Sequence, residues 1–177
     1  MDADSGLIQI VDAALAEAAR KSGAWLVCRP GCYECCLGPF AITQSDAERL
    51  RQGLAELEES DPQRAARVRE RSQAAAAKLS PMDEVVFDVW LEALPEDDPC
   101  PVLDPETGTC DLYSARPMTC RVFGPPIRWG SDAIGVCELC FDGATDEEIA
   151  SCEVRIDAPE PDGESATIVA LALSGRA

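Results

Sequence analysis

Apolar side chains recur at helical spacing through the first half of the chain. Ile8, Val11, Leu15 and Ala18 fall three or four residues apart, which puts them on one face of a helix over about residues 6–21. Ser45 followed by Glu48 has the spacing of a capping box, in which the hydroxyl accepts from a first-turn amide and the carboxylate reaches back to the cap. A helix is predicted to start there and to bury Ala47, Leu50, Leu54 and Leu57. Asp61-Pro62 supplies a capping carboxylate and then a proline whose missing amide costs nothing in a first turn. A third helix therefore runs through the alanine-rich segment to about Leu79. Ser80-Pro81 repeats the signal, with Met82, Val86, Val89 and Ala93 as the face of a helix ending before Pro95. Val85-Val86-Phe87 would also suit a strand.

After Pro95 that period is lost, and prolines and glycines break the chain into short pieces. Pro105-Glu106-Thr107-Gly108 reads as a turn joining two extended arms, Pro101 to Leu103 and Thr109 to Tyr113, with Cys100 and Cys110 at its two ends. Thr145 and Glu148 form a second capping box, starting a helix that carries Cys152. Ala158 to Gly163 is a polar, proline-rich loop, and Ser165 to Leu173 reads as a terminal helix. No internal repeat is present. The pattern predicts a mainly α fold with a small irregular Cys-rich β-hairpin and loop region. Its helical part covers about 6–94, its Cys/Pro-rich part about 95–143 and its C-terminal helices about 145–175. The 177 residues suit a single compact domain, 1–177.

Composition narrows the function classes. Apolar residues at 46% and charged residues at 27% are the balance of a folded, water-soluble protein. No run reaches the roughly 20 apolar residues of a membrane span, and the acidic start Met1-Asp2-Ala3-Asp4 lacks the basic flank of a secretion signal. A cytoplasmic protein without a membrane partner is expected. The net charge of −18 opposes binding to nucleic acid, whose backbone attracts Lys and Arg. Arg64, Arg67, Arg69 and Arg71 read as the solvated face of a helix, with a phosphate-binding patch as the alternative. Trp25, Trp90 and Trp129 read as core or site-shielding residues rather than stacking platforms.

Ten cysteines and no histidine change the picture most. The absence of histidine removes His-dependent triads, His-ligated zinc enzymes and imidazole general bases. Many thiols in a reducing compartment point to metal binding or redox work rather than disulfides. Cys28, Cys32, Cys35 and Cys36 lie within nine residues, spaced so that a Pro-Gly turn can bring successive sulfurs toward one point. Cys35 and Cys36 are adjacent, and neighbouring side chains diverge. Either one of them is not a ligand, or the two serve different metal centres. Cys137-Glu138-Leu139-Cys140 has the spacing of a redox pair, but no thioredoxin-like strand and helix pattern surrounds it. Cys152, alone on a predicted helix, reads as core.

This arrangement resembles the YkgJ-type cysteine-cluster family. The resemblance is carried by Cys-x3-Cys-x2-Cys-Cys, by Cys100-Pro101-Val102-Leu103-Asp104, by Gly108-Thr109-Cys110-Asp111-Leu112-Tyr113, and by Arg116-Pro117-Met118-Thr119-Cys120-Arg121-Val122-Phe123. It covers about residues 25–125, and the joint occurrence of the blocks is specific. It implies a zinc- or iron-chelating domain, organised around a metal site, with Cys28, Cys32, Cys35, Cys36, Cys100, Cys110 and Cys120 as the family's cysteines. Cys137 and Cys140 are further candidate ligands. The motif is also similar to one in bacterial flagellin lysine methylases, although no Gly-rich loop follows a strand here to cradle S-adenosylmethionine.

An all-sulfur environment favours zinc or an iron–sulfur cluster over magnesium, calcium or manganese. Four thiolates on Zn²⁺ carry a charge of about −2. Arg29, Arg116 and Arg121, near motif cysteines, either balance that charge or make surface salt bridges. Two functional readings follow. One is a chelating protein whose metal ties the proline-rich half to the helices and adds on the order of 10 kcal/mol to folding. The other is an iron–sulfur-dependent component of a protein-modifying, lysine methylase-like enzyme, or an electron carrier. The metal ion is the expected partner in both, with an unidentified protein partner added in the second.

Overall fold

The structure, a computed structural model, describes residues 3–79, 87–130, 132–159 and 167–175. Along the chain, α1 (Ala3–Ser22) leads through the first cysteine run to β1 (Ala41–Ile42), α2 (Gln44–Ser60), α3 (Pro62–Lys78) and α4 (Phe87–Glu92). The hairpin strands β2 (Leu103–Asp104) and β3 (Thr109–Cys110) follow, then α5 (Met118–Val122), β4 (Ile127–Trp129) and β5 (Asp132–Ile134). The chain ends in α6 (Asp146–Cys152), β6 (Val154–Ile156), β7 (Thr167–Ile168) and α7 (Val169–Leu173). The architecture is mainly helical, with few and short strands, as the periodicity predicts. Two compact units divide it, each assembled from two stretches: Met1–Arg29 with Met118–Asp162, and Pro30–Pro117 with Gly163–Ala177.

In the first unit α1 buries the predicted stripe. Val11 and Ala18 lose all exposure and pack with Met118, Val122, Ile127, Trp129 and Ile156, while Ile8 and Leu15 flank them. The sheet beside it has the order β5-β4-β6, with β4 antiparallel to β5 and parallel to β6. Strands this short were invisible to the sequence pattern, because three residues show no alternation and the parallel partner lies 27 positions on, pairing Ile127 with Val154. The predicted box of Thr145 and Glu148 caps α6.

The second unit stacks α2, α3 and α7 around Ile42, Leu50, Leu54, Val68 and Leu173, with Cys100 and Cys110 packed against this core. Each fully buried Leu contributes about 2 kcal/mol by leaving water. The α3 start is as read, with Asp61 accepting from the Arg64 amide ahead of Pro62. The α2 start is two residues earlier than Ser45. Thr43 accepts from the Asp46 amide and Asp46 accepts from the Thr43 amide, which closes the box before Ser45 is reached.

Two more expectations need correction. In α4 the buried residue is Trp90, with Phe87, Leu91 and Leu94 beside it, while Val89 and Ala93 are exposed. The large indole outcompetes the smaller side chains for the interior; Met82 and Val86 lie outside the described residues. The terminal helix is shorter than Ser165 to Leu173. Thr167 and Ile168 are extended and pair antiparallel with Ile42 and Ala41, so the helix starts at Val169. Residues 165 and 166 lie outside the described residues.

The arginine run on α3 is not a solvated face as a whole. Arg64 and Arg71 both reach the buried carboxylate of Asp111, and Arg69 pairs with Glu58 on α2 at 2.5 Å, leaving Arg67 exposed. Trp90 and Trp129 are core residues, in line with expectation.

Candidate metal centre

In the second unit, Glu34–Cys36 forms one 3-10 turn, in which the Cys36 amide donates to the Tyr33 carbonyl at 2.7 Å. Two backbone contacts tie this turn to the downstream cysteines. The Cys100 amide donates to the Cys36 carbonyl at 2.7 Å, beside a bridge between Leu37 and Pro99, and Gly38 donates to Asp98. On the other side of the run, Gly31 lies against Gly108 in the hairpin turn. A Cβ on Gly108 would stand 3.1 Å from the Gly31 Cα and carbonyl oxygen, and φ there is +64°, so glycine is needed on both counts. The predicted hairpin is present, pairing Leu103 with Cys110 and Asp104 with Thr109. Short backbone links thereby join the segments that carry Cys32, Cys35, Cys36, Cys100 and Cys110.

The hairpin is in turn held by charge. Asp111, next to Cys110, has a side chain only 1% exposed; it accepts from Arg64 Nε and, at 2.5 Å, from Arg71 Nη2. Arg71 Nε also donates to the Pro101 carbonyl at 2.8 Å. The Cys35 thiol is pushed well up from its ordinary pKa, first by the hydrogen bond it shares with the Cys36 thiol and then by burial. Burial raises the Cys110 thiol. Both effects favour the neutral thiol, the form that gives up its proton when a cation arrives.

In the first unit, Cys28 is exposed and its sulfur stands 4.0 Å from that of Cys140. Cys137 and Cys140 flank a tight turn closed by the Cys140 amide on the Cys137 carbonyl at 2.8 Å, and burial raises the Cys137 thiol. The turn is anchored twice. Cys137 donates to the Gly124 carbonyl at 3.1 Å, and Phe141 donates to the Trp25 carbonyl while its ring stacks on Trp25 at 6.0 Å. Phe141 takes a left-handed φ of 60°, a conformation costing about 1 kcal/mol or more outside glycine. Cys120 is half-buried on α5, and Cys152 is buried with its thiol donating to the Lys21 carbonyl. That contact is consistent with the core reading of Cys152.

Among the described residues, no disulfide joins any of the ten cysteines. Among the described residues, no three Cys, His, Asp or Glu side chains already form a metal-binding group. The donors nevertheless fit a thiophilic metal. A zinc–sulfur bond of about 2.3 Å places tetrahedral sulfurs about 3.8 Å apart, close to the Cys28–Cys140 separation. Of the three nearby arginines, Arg121 is buried and paired with Asp12 at 2.8 Å, Arg116 lies over the Tyr113 ring at 4.1 Å, and Arg29 is exposed. Sequence reasoning missed Asp111 as a positioning residue, because one aspartate among 33 carboxylates carries no mark of burial.

The fold is that of a mainly helical protein in which the sulfurs of Cys28 and Cys140, far apart in the chain, lie side by side. The CxxCxxCC family, described as a "Putative zinc- or iron-chelating domain", matches residues 27–140, well over half of the chain. The chain belongs to this family. The match takes in nine of the ten cysteines, from Cys28 to Cys140, and leaves out Cys152. Neither the search of curated proteins nor that of solved structures found a match. Among the described residues no helix is long and apolar enough to cross a membrane.

Proposed function

We propose that this chain is a metal-chelating protein that binds zinc or an iron–sulfur cluster through cysteine thiolates. Its candidate ligands are Cys28, Cys32, Cys35, Cys36, Cys100, Cys110, Cys120, Cys137 and Cys140. The observation that carries the reading is the approach of the Cys28 and Cys140 sulfurs to 4.0 Å although 112 positions separate them in the sequence. Two thiols rarely meet in this way for packing alone when one of them is exposed. Sulfur donors without histidine favour zinc or iron over hard cations. Keeping so many thiols reduced calls for a reducing compartment, which the cytoplasm provides.

The test is elemental analysis of protein purified without oxygen, together with acid-labile sulfide and the visible spectrum. Colourless protein carrying zinc, or brown protein with iron and sulfide that dithionite bleaches, is the expected result, with at least one metal centre per chain. A folded, fully reduced chain that carries no metal and takes none up would refute the reading.

A further inference from the structure

The first cysteine run does not stay within one unit. The division at Arg29 and Pro30 falls inside it, leaving Cys28 in the first unit and Cys32, Cys35 and Cys36 in the second. The remaining cysteines divide in the same way: Cys120, Cys137, Cys140 and Cys152 belong with Cys28, and Cys100 and Cys110 with the other three. We propose that the chain builds two four-sulfur metal centres, one from Cys28, Cys120, Cys137 and Cys140, the other from Cys32, Cys100, Cys110 and one of the adjacent pair Cys35 and Cys36. This rests on the chelating reading and adds to it the number of centres and the ligands of each.

Stoichiometry supplies the first argument. A tetrahedral zinc or a cubane cluster takes four thiolates, so nine candidate ligands overfill one centre and fill two with one left over. The one left over is explained locally, because the Cys35 thiol is engaged by that of its neighbour Cys36 within one 3-10 turn, so the pair supplies a single ligand.

Geometry supplies the second. In the first unit Cys28 has its sulfur neighbour in Cys140, the far end of the Cys137 turn. Gly124 forms the floor: its carbonyl holds the Cys137 amide, its φ is +124°, and a Cβ there would lie 3.5 Å from the Cys28 sulfur. Cys120 sits on α5, one turn before Gly124 in the chain. Cys152 has its thiol engaged by the Lys21 carbonyl and is the remaining thiol of this unit. In the second unit the Gly31–Gly108 approach brings the loop of Cys32 to the hairpin of Cys110, and the Cys100 amide donating to the Cys36 carbonyl closes the other side. Apart from Cys120, placed by its unit and its position on α5, each set is linked by contacts inside its own unit.

The experiment uses the full chain, stripped of metal and reduced in an oxygen-free box, with Co²⁺ added alone. Thiolate-to-cobalt absorption should rise to an end point of two equivalents per chain. Alkylation of the loaded wild-type protein, read peptide by peptide in a mass spectrometer, should leave eight cysteines protected, with Cys152 and one of Cys35 and Cys36 modified. Cys137→Ser should halve the cobalt absorption and expose Cys28, Cys120 and Cys140 while Cys32, Cys100 and Cys110 stay protected; Cys110→Ser should do the reverse. An end point at one equivalent with four protected thiols overturns the two-centre proposal and leaves the chelating reading standing. So does a Cys137→Ser protein in which Cys32 loses protection along with Cys28. No cobalt uptake, with no metal in the protein as purified, removes both. The wild-type count needs no variant, so a variant that fails to fold does not blunt the test.

Discussion

Replacing Asp111 by asparagine keeps the shape of a buried side chain and removes the charge around which two arginines are arranged. Its carboxylate is 1% exposed, and it receives Arg64 Nε and Arg71 Nη2, while its own amide donates to Val102 at 2.8 Å. Breaking one side of a fully buried ion pair costs about 3–5 kcal/mol. Here the guanidinium side chains keep 35% and 24% of their exposure, so water takes over part of the lost interaction and about 2–3 kcal/mol remains. For a chain of this length that lowers the melting temperature by about 4–12 °C. Urea unfolding of the metal-stripped protein should show a lower midpoint at an unchanged slope. Cys110 is the adjacent residue, so competition against a chromogenic chelator should also show weaker metal binding. Arg71→Met should cost more than Arg64→Met, since Arg71 also holds the Pro101 carbonyl and is less exposed. A metal-free Asp111→Asn protein within about 0.5 kcal/mol of wild type would refute the argument that this pair holds the hairpin.

Gly108→Ala forces a left-handed φ on alanine and sets its Cβ 3.1 Å from Gly31, which should cost about 1–2 kcal/mol in thermal melting and speed alkylation of Cys32. Thr43→Ala should destabilise by about 1 kcal/mol and Ser45→Ala by less than half of that; the opposite order in denaturant titration would return the α2 cap to Ser45. Cys152→Ser should retain the wild-type metal content by elemental analysis, whereas Cys140→Ser should lose metal. The Glu148 carboxyl is held below its ordinary pKa, chiefly by the Thr145 amide. Its contribution to the α6 cap is therefore complete above the unfolded-state pKa and lost as pH falls through the lower folded value. Amide exchange over 146–152 should accelerate in that acid window in wild type, and Glu148→Gln should flatten the dependence.

Local signals account for what could be read from the sequence. Asp61-Pro62 and the Thr145–Glu148 box act within one helical turn, and both helices start where these residues predict. At Thr43 two overlapping boxes compete, and nothing in the sequence ranks Thr-x-x-Asp above Ser-x-x-Glu; Asp46 also accepts from Arg49, which favours the earlier start. Tertiary context decided the rest. The α4 face was set by Trp90, and the extended Thr167–Ile168 pair by a partner strand more than a hundred residues away. For the site, the turn chemistry around Pro105–Gly108 located Cys110, but the meeting of Cys28 with Cys140 depends on the fold of a whole unit.

Both units are closed only by late parts of the chain: β6 completes the sheet that packs on α1, and β7 with α7 completes the core around α2. Cys28 to Cys36 therefore leave the ribosome on the order of ten seconds before the residues near 168 that finish their scaffold, at about 5–20 residues per second. During that interval the thiols face the surrounding medium without their scaffold, exposed to oxidants and to stray metal. On the chelating reading, loading would then be a late step of maturation, and a cell short of reductant would lose this protein while it is being made rather than after it has folded.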